Sequence, residues 1–444
     1  MKFKSIDKLK SYLIVFLFFS FLIGNTQHLL TKEEAVSLAL DYNFGVLIAK
    51  NTVEIAENNA DLLNTGYLPT LTGNGGANFN KDNTEAEFSN GNSTKLTGAE
   101  SSRYNASVNL NYTLFDGMGR YYNYKRLKEE YQLTELQARE TIENTVIDML
   151  TMYFQVANMS QNVSALEKSL EISRDRLKRA EYQFEYGQDT KLGMLNAEVD
   201  RNNDSISVIN MQLELEKAKR NLNVVIGNSI SSTFEVDTLV TFKLGLKKED
   251  LYQKMLDNNV ILLQNEKNIA ISQYDVKMGK SGYLPRIGLT GSYGWSKNNN
   301  NPASFVTVST NTGIAGGLNL TWDIFDSGST ITRVKNARIA LENQQILKEQ
   351  IEVEVERNFN NAWDHYLNKM AVYQIEENNI LTALNNFERT QEKFKMGQVN
   401  SLEFRQAQIN LLNAVVSKNQ AKYEAKLAEI ILLQISGELL NVAL

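Results

Sequence analysis

A chain of 444 residues has room for about three ordinary domains of roughly 150 residues each. Its net charge of −6 offers no basic footprint for nucleic acid. The lack of cysteine excludes disulfides, thiolate nucleophiles and a lipid-bearing cysteine, and only three prolines (Pro69, Pro285, Pro302) interrupt it, so very long helices are permitted.

In chain order, residues 1–26 read as a secretory signal peptide. Lys2, Lys4, Lys8 and Lys10 precede an apolar run from Tyr12 to Ile23, followed by Gly24-Asn25-Thr26. That run falls short of the roughly 20 residues a membrane-spanning helix needs. The chain is therefore expected to be exported and to carry no transmembrane helix. The first repeat, 27–230, opens with a capping box at Thr31-Lys32-Glu33-Glu34 and a helix running to Gly66. Period-2 alternation then predicts a strand pair at 70–80 and 103–116, joined by the Asn/Gly/Ser-rich loop Lys81–Ser102. From Tyr104 to Leu114 one face carries Tyr104, Ala106, Val108, Leu110 and Tyr112, and the other Asn105, Ser107, Asn109 and Asn111. A long helix over 118–185 follows, with Leu166, Leu170, Ser173, Leu177, Ala180 and Phe184 spaced as a coiled-coil seam. It breaks at Gly187, and a return helix covers 190–227.

Residues 231–246 form a linker, in which Phe234-Glu235-Val236 has the composition of a short strand. The second repeat, 247–444, then runs through the same series: a helix from Lys247 to Gly282, a strand pair at 286–295 and 314–325, a long helix at 330–395 and a return helix at 400–437. The copies are visible as motifs. Gly66-Tyr67-Leu68-Pro69 returns as Gly282-Tyr283-Leu284-Pro285, and Phe115-Asp116 as Phe325-Asp326. Tyr186-Gly187-Gln188 is echoed by Met396-Gly397-Gln398, and Ile226-Gly227 by Ser436-Gly437. A repeat of this length, far beyond short solenoid periods, points to two homologous halves.

Ten-residue strands that alternate apolar and polar residues, with aromatics near their ends, carry the signature of a transmembrane β-barrel. Four strands are too few to close one, since single-chain barrels start at about eight, and open sheet edges are not tolerated in lipid. Several chains must then share one barrel.

With these motifs in register, the chain resembles the TolC-like outer-membrane efflux protein family, the outer-membrane factors. The resemblance rests on Leu40-Asp41-Tyr42-Asn43 and Leu256-Asp257-Asn258-Asn259, on Tyr-Leu-Pro into the first strand of each half, on the turns Phe115-Asp116-Gly117 and Phe325-Asp326-Ser327-Gly328, and on the two glycine tips. It implies a mainly α mixed fold: a homotrimer sharing a 12-stranded outer-membrane barrel, four strands per chain, continuous with a periplasmic α-helical barrel. It implies a passive exit duct of a tripartite efflux or type I secretion system, with a periplasmic membrane-fusion adaptor, an inner-membrane transporter and outer-membrane lipid as partners, and no cofactor. The location implied is the outer membrane of a Gram-negative bacterium. The resemblance makes Gly187, Gln188, Gly397 and Gln398 adaptor-docking tips, and Glu403, Gln406 and Asp189 residues of a periplasmic constriction. There a ring of Glu403 carboxylates would form a cation site and charge filter, although a double acidic ring is lost because Gln406 is neutral. Asp116 and Asp326 are expected to cap the long helices through their side chains. No catalytic or metal residues are expected: the two histidines, His28 and His365, neighbour no plausible nucleophile. The alternative is an exported trimeric coiled-coil structural or adhesin protein without a pore.

Overall fold

The computed structural model describes residues 28–227 and 234–441. The signal peptide at 1–26 lies outside them. The elements in order are β1 (His28–Leu30), α1 (Lys32–Tyr42), α2 (Phe44–Asn59), β2 (Thr70–Glu87), β3 (Ser93–Phe115), α3 (Gly119–Glu185), α4 (Lys191–Ile226), β4 (Phe234–Val236), α5 (Lys248–Asn258), α6 (Val260–Lys280), β5 (Arg286–Asn299), β6 (Val308–Thr321), α7 (Ser329–Lys395) and α8 (Ser401–Ile435). The fold is mainly helical. Among the described residues no helix is long and apolar enough to cross a membrane.

Three expectations need correction. The opening helix of each half is broken into two. Asn43 and Asn259 adopt extended backbone (ψ 128 and 122) and end α1 and α5. The Asn43 carboxamide is the reason the chain restarts at once, because its Oδ1 accepts the N–H groups of Gly45 (2.8 Å) and Val46 (3.2 Å). The expected loop 81–102 is mostly strand: β2 and β3 stay paired to Glu87↔Ser93, with a bulge at Asp82/Thr84. Asn- and Ser-rich composition there reflects a solvated hairpin, not absence of pairing. Ile324 and Phe325, placed at the end of the strand 314–325, lie beyond β6, which starts earlier at Val308.

The chain divides into two compact units. Of the described residues, one comprises 28–50, 138–227, 234–260 and 353–441. Its core gathers Met149, Leu150, Tyr153 and Phe154 of α3, Leu222 and Ile226 of α4, and Ile430 of α8 around the parallel ladder of β1 with β4. Tyr153, 1% exposed, donates its hydroxyl to Leu30 O (2.8 Å), with Asp237 O also within reach (3.1 Å). The segment after β4 is held down by lysines of α8. Lys422 Nζ donates to Thr238 O (3.2 Å) and Gln161 Oε1 (2.9 Å), and Lys426 Nζ to Thr241 O (2.9 Å). Lys426 also pairs with the buried Glu429 (2.7 Å), which accepts the Lys243 N–H (3.1 Å).

The same unit shows what two of the repeated motifs do. Asn43 Nδ2 donates to Val225 O (2.7 Å), one residue before the end of α4, and Asn259 Nδ2 donates to Ile435 O (2.9 Å) at the end of α8. Each return helix therefore ends against the broken opening helix of its own half, with Gly227 and Gly437 at left-handed φ of 79° and 70° beside the Asn.

Burial pushes the Lys422 ammonium down to about 8, with Lys418 adding to the shift. A lysine depressed in the fold keeps its stabilising contribution above its unfolded pKa and loses it as pH falls through about 8. Burial pushes the Tyr153 and Tyr423 hydroxyls upward, so their contribution is lost as pH rises beyond the ordinary tyrosine range of about 10. Stability should therefore climb between pH 8 and about 10 and fall above it. Thermal melting followed by circular dichroism across pH 7–11 checks this, and Lys422→Met should flatten the rising limb.

The second unit, residues 51–137 and 261–352, holds one antiparallel sheet of strand order β2-β3-β5-β6.

Candidate functional site: a two-faced sheet and two glycine turns

Alternation gives the sheet two unlike faces. The register aligns Leu71 with Leu110, Val108 with Tyr293 and Leu289 with Leu318 on one face. On the other it aligns Thr72 with Asn109, Asn109 with Ser292, and Ser292 with Ala315. The polar face is concave: Thr72, Asn74, Asn109, Asn111, Thr290 and Ser292 line a hollow of about 570 Å³. The apolar face lies open, with Leu71, Ile314 and Leu318 all exposed. Aromatics bound it at both ends. Phe79 and Tyr104 meet edge to face at 5.6 Å towards the hairpin turns, and Trp322 donates its indole N–H to Tyr283 O (3.1 Å) at the opposite end. Towards the turns the apolar face gives way to charge at the cross-strand pair Lys81–Glu100 (2.8 Å). The order β2-β3-β5-β6 leaves β2 and β6 as free edges of the sheet.

Strand passes to helix at two aspartates. Asp116 Oδ2 accepts the Arg120 N–H (2.9 Å) at the start of α3. Asp326 Oδ2 accepts the Thr330 N–H (2.7 Å) and Oγ–H (2.6 Å) at the start of α7. These bonds hold the Asp326 carboxyl below the usual carboxylate range.

At the far end of the long helices sit the glycine turns. Gly187 and Gly397 are left-handed (φ 69° and 74°). Around each, the two bonds of a Schellman motif form: Gln188 N–H to Gln183 O (2.7 Å) with Gly187 N–H to Phe184 O (3.0 Å), and Gln398 N–H to Lys393 O (2.8 Å) with Gly397 N–H to Phe394 O (3.1 Å). Nothing lies within 4 Å of a Cβ built on either glycine, so both turns present bare backbone. Asp189 Oδ1 accepts the Thr190 N–H (2.6 Å). Glu403 has a local partner: with Asn400 it completes a capping box, Asn400 Oδ1 accepting the Glu403 N–H (2.9 Å) and Glu403 Oε2 the Asn400 N–H (3.1 Å). Gln406 Nε2 donates to Asn410 Oδ1 (2.8 Å).

Sequence reasoning missed a buried ionic cluster within the helical unit. Arg405 of α8 grips Asp204 of α4 with both Nη atoms (2.6 Å each), Arg176 of α3 pairs with Asp200, and Ser173 donates to Asp204. Burial pulls the Arg176 guanidinium down against Asp200, whereas for Arg405 burial is outweighed by the bond to Asp204 and the charges of Asp204 and Asp200 acting together, which raise it. These positions lie on three helices with no shared motif, and charge at helical spacing ordinarily marks a solvated face. Among the described residues no group of three or more His, Cys, Asp or Glu is placed to hold a metal.

A four-stranded sheet with one exposed apolar and one hollow polar face, together with long helices that end in glycine turns, matches what the sequence leads one to expect of an outer-membrane channel. The comparisons agree. The family model described as outer membrane efflux protein matches residues 35–228 and 251–438, and the chain belongs to this family. It is 21% identical over 394 residues to the outer membrane efflux protein BepC of Brucella suis, covering 87% of this chain and 81% of the relative. It is 21% identical over 345 residues to the outer membrane protein TolC of Vibrio cholerae, covering 77% and 78%. Its fold is similar to that of the Campylobacter jejuni CmeC outer membrane channel, with a TM-score of 0.75 at 17% identity over 92% of this chain and 86% of that one. The protein thus belongs in the outer membrane and serves efflux rather than catalysis.

Proposed function

We propose that this chain is one third of a passive exit duct, conducting substrates delivered by a periplasmic adaptor and an inner-membrane pump. The observation that carries the reading is the sheet with a hollow polar face and two unpaired edges. In lipid those edges must pair. Joining β2 of one copy to β6 of the next around a threefold axis gives twelve strands and no edge. The helices support the same assembly: Ile206, Ile209 and Leu213 of α4 and Val353, Ile375 and Leu381 of α7 are more than half exposed in the single chain, a cost removed when a neighbouring copy covers them. The two halves act as tandem repeats that approximate sixfold symmetry from three chains.

The bare turns at Gly187–Gln188 and Gly397–Gln398 suit close backbone approach by an adaptor hairpin. In this reading Glu403, Gln406 and Asp189 surround the narrow end, with the Glu403 carboxylate shared between its capping box and the pore. The test combines mass in detergent with single-channel conductance of the mature protein. A conducting trimer supports the reading, and a monomer that does not insert removes it. Gly397→Arg should leave the trimer intact and abolish export of a pump substrate from cells. Unchanged export would remove the docking assignment.

A further inference from the structure

The concave face of the sheet is almost free of charge. From the Arg286↔Thr321 rung to the Asn78↔Arg103 rung, every position of that face between the two arginines is Thr, Asn, Ser, Gly or Ala on all four strands. The two exceptions, Arg286 and Arg103, close the stretch at its ends, about 40 Å apart along the strand at roughly 3.4 Å per residue. They are not equivalent. Past Thr321, the partner of Arg286, the chain carries Asp323 two residues beyond the end of β6, an acid close enough in the chain to offset that charge. Near Arg103 the first acid of the same face is Asp82, four residues beyond Asn78 on β2 and about 13 Å away.

Arg103 is also held in place. Its Nε donates to Asn298 Oδ1 (2.8 Å), and Asn298 Nδ2 donates in turn to Ser309 Oγ (3.2 Å). One chain of bonds thus runs β3–β5–β6 across the concave face and fixes the guanidinium stem. The terminal Nη groups make no hydrogen bond or ion pair within the described residues. A fixed, exposed guanidinium whose Nη1/Nη2 edge is free, on a wall otherwise built of amides and hydroxyls, is a site for an anion: planar N–H pairs match carboxylate, sulfonate and phosphate oxygens.

We propose that Arg103 is the charge-selecting residue of the barrel, favouring organic anions through a ring of three guanidinium groups near its outer mouth. The proposal rests on the trimeric-duct reading. It follows the physics of charged rings in pores, where a ring of arginine favours anions. Because the ring faces water, its reach follows the Debye length, about 30 Å at 0.01 M salt and 8 Å at physiological strength, so the preference should be strong in dilute salt and fade in concentrated salt.

The test uses the full mature protein in a planar bilayer in dilute salt, with pyrene-1,3,6,8-tetrasulfonate added to each chamber in turn. Wild type should be blocked from the barrel side. Arg103→Gln should raise the half-blocking concentration about tenfold or more, and Arg103→Lys, which keeps the charge, should restore most of the block. A conducting trimer that shows no block, or whose block is the same in Arg103→Gln, overturns the proposal while leaving the duct intact. A protein that forms no trimer or no channel overturns the duct reading and the proposal with it.

Discussion

Gly437→Ala should destabilise the helical unit by about 3 kcal/mol and lower the yield of assembled protein. Two effects add. Gly437 has φ 70°, and holding an L-residue with a Cβ there costs roughly 1–2 kcal/mol. There is also no room: a Cβ at this position would lie 2.5 Å from Asn258 O and 2.6 Å from its carbonyl carbon. Those are backbone atoms at the end of α5, so relief means separating α8 from α5, and overpacking of this kind costs a further 1–3 kcal/mol. Separation would stretch the Asn259 Nδ2 bond to Ile435 O and the two bonds from Arg139 Nη2, to Asn258 O (3.1 Å) and Gly437 O (3.2 Å). Gly397→Ala is the control. Its φ is 74° but the space around it is open, so only the conformational term of roughly 1–2 kcal/mol applies. Urea unfolding of the two variants followed by circular dichroism separates the effects; equal losses would show that the close approach of α8 to α5 contributes nothing.

That contact shows how far the sequence could be read. The Asn43/Asn259 and Gly227/Gly437 repeats were visible as recurring motifs, and so was the alternation on β2, β3, β5 and β6, because a period of two or a repeated glycine is written locally. What joins them was not. A capping Asn that also bonds a carbonyl 182 residues away at Val225 leaves no local mark, and an Asn inside a strongly helical pattern reads as tolerated. The hairpin beyond Lys81 failed for another reason. Outside the bilayer both faces of a strand are wet, so alternation vanishes and composition alone resembles a loop. Glu403 was singled out for its charge. The Asn400-x-x-Glu403 spacing also spelled a capping box, a role legible in the sequence.

The Arg405–Asp204 cluster lies at the opposite extreme, invisible to any local pattern yet among the most consequential charges in the chain. Asp204→Ala should cost about 3–5 kcal/mol, the range for stripping one partner from a buried ion pair. The four side chains balance, two arginines against two aspartates. Removing Asp204 leaves Arg405, with a side chain 13% exposed, facing only Asp200 at 3.9 Å, and leaves Ser173 without its acceptor. The Nε–H groups of Arg176 and Arg405 already lack a hydrogen-bond partner in the same buried region, so donors exceed acceptors before Asp204 is removed, and the unpaired Gln408 Oε1, a neutral amide oxygen, cannot replace the carboxylate charge. An exposed pair such as Lys217–Glu214, with both side chains about half exposed, should change stability by less than about 1 kcal/mol when broken. The decisive comparison is the double variant. If the cost of Asp204→Ala comes from the stranded charge rather than from lost packing, Asp204→Leu with Arg405→Met should recover most of it, since an apolar replacement of both partners is often neutral. Hydrogen–deuterium exchange along α3, α4 and α8 gives the readout: faster exchange around residues 173–204 and 401–408 in the single variant, returning towards wild type in the double. A double variant that exchanges as fast as the single would assign the cluster's contribution to packing and hydrogen bonding among Ser173, Gln408 and the aspartate, not to charge balance.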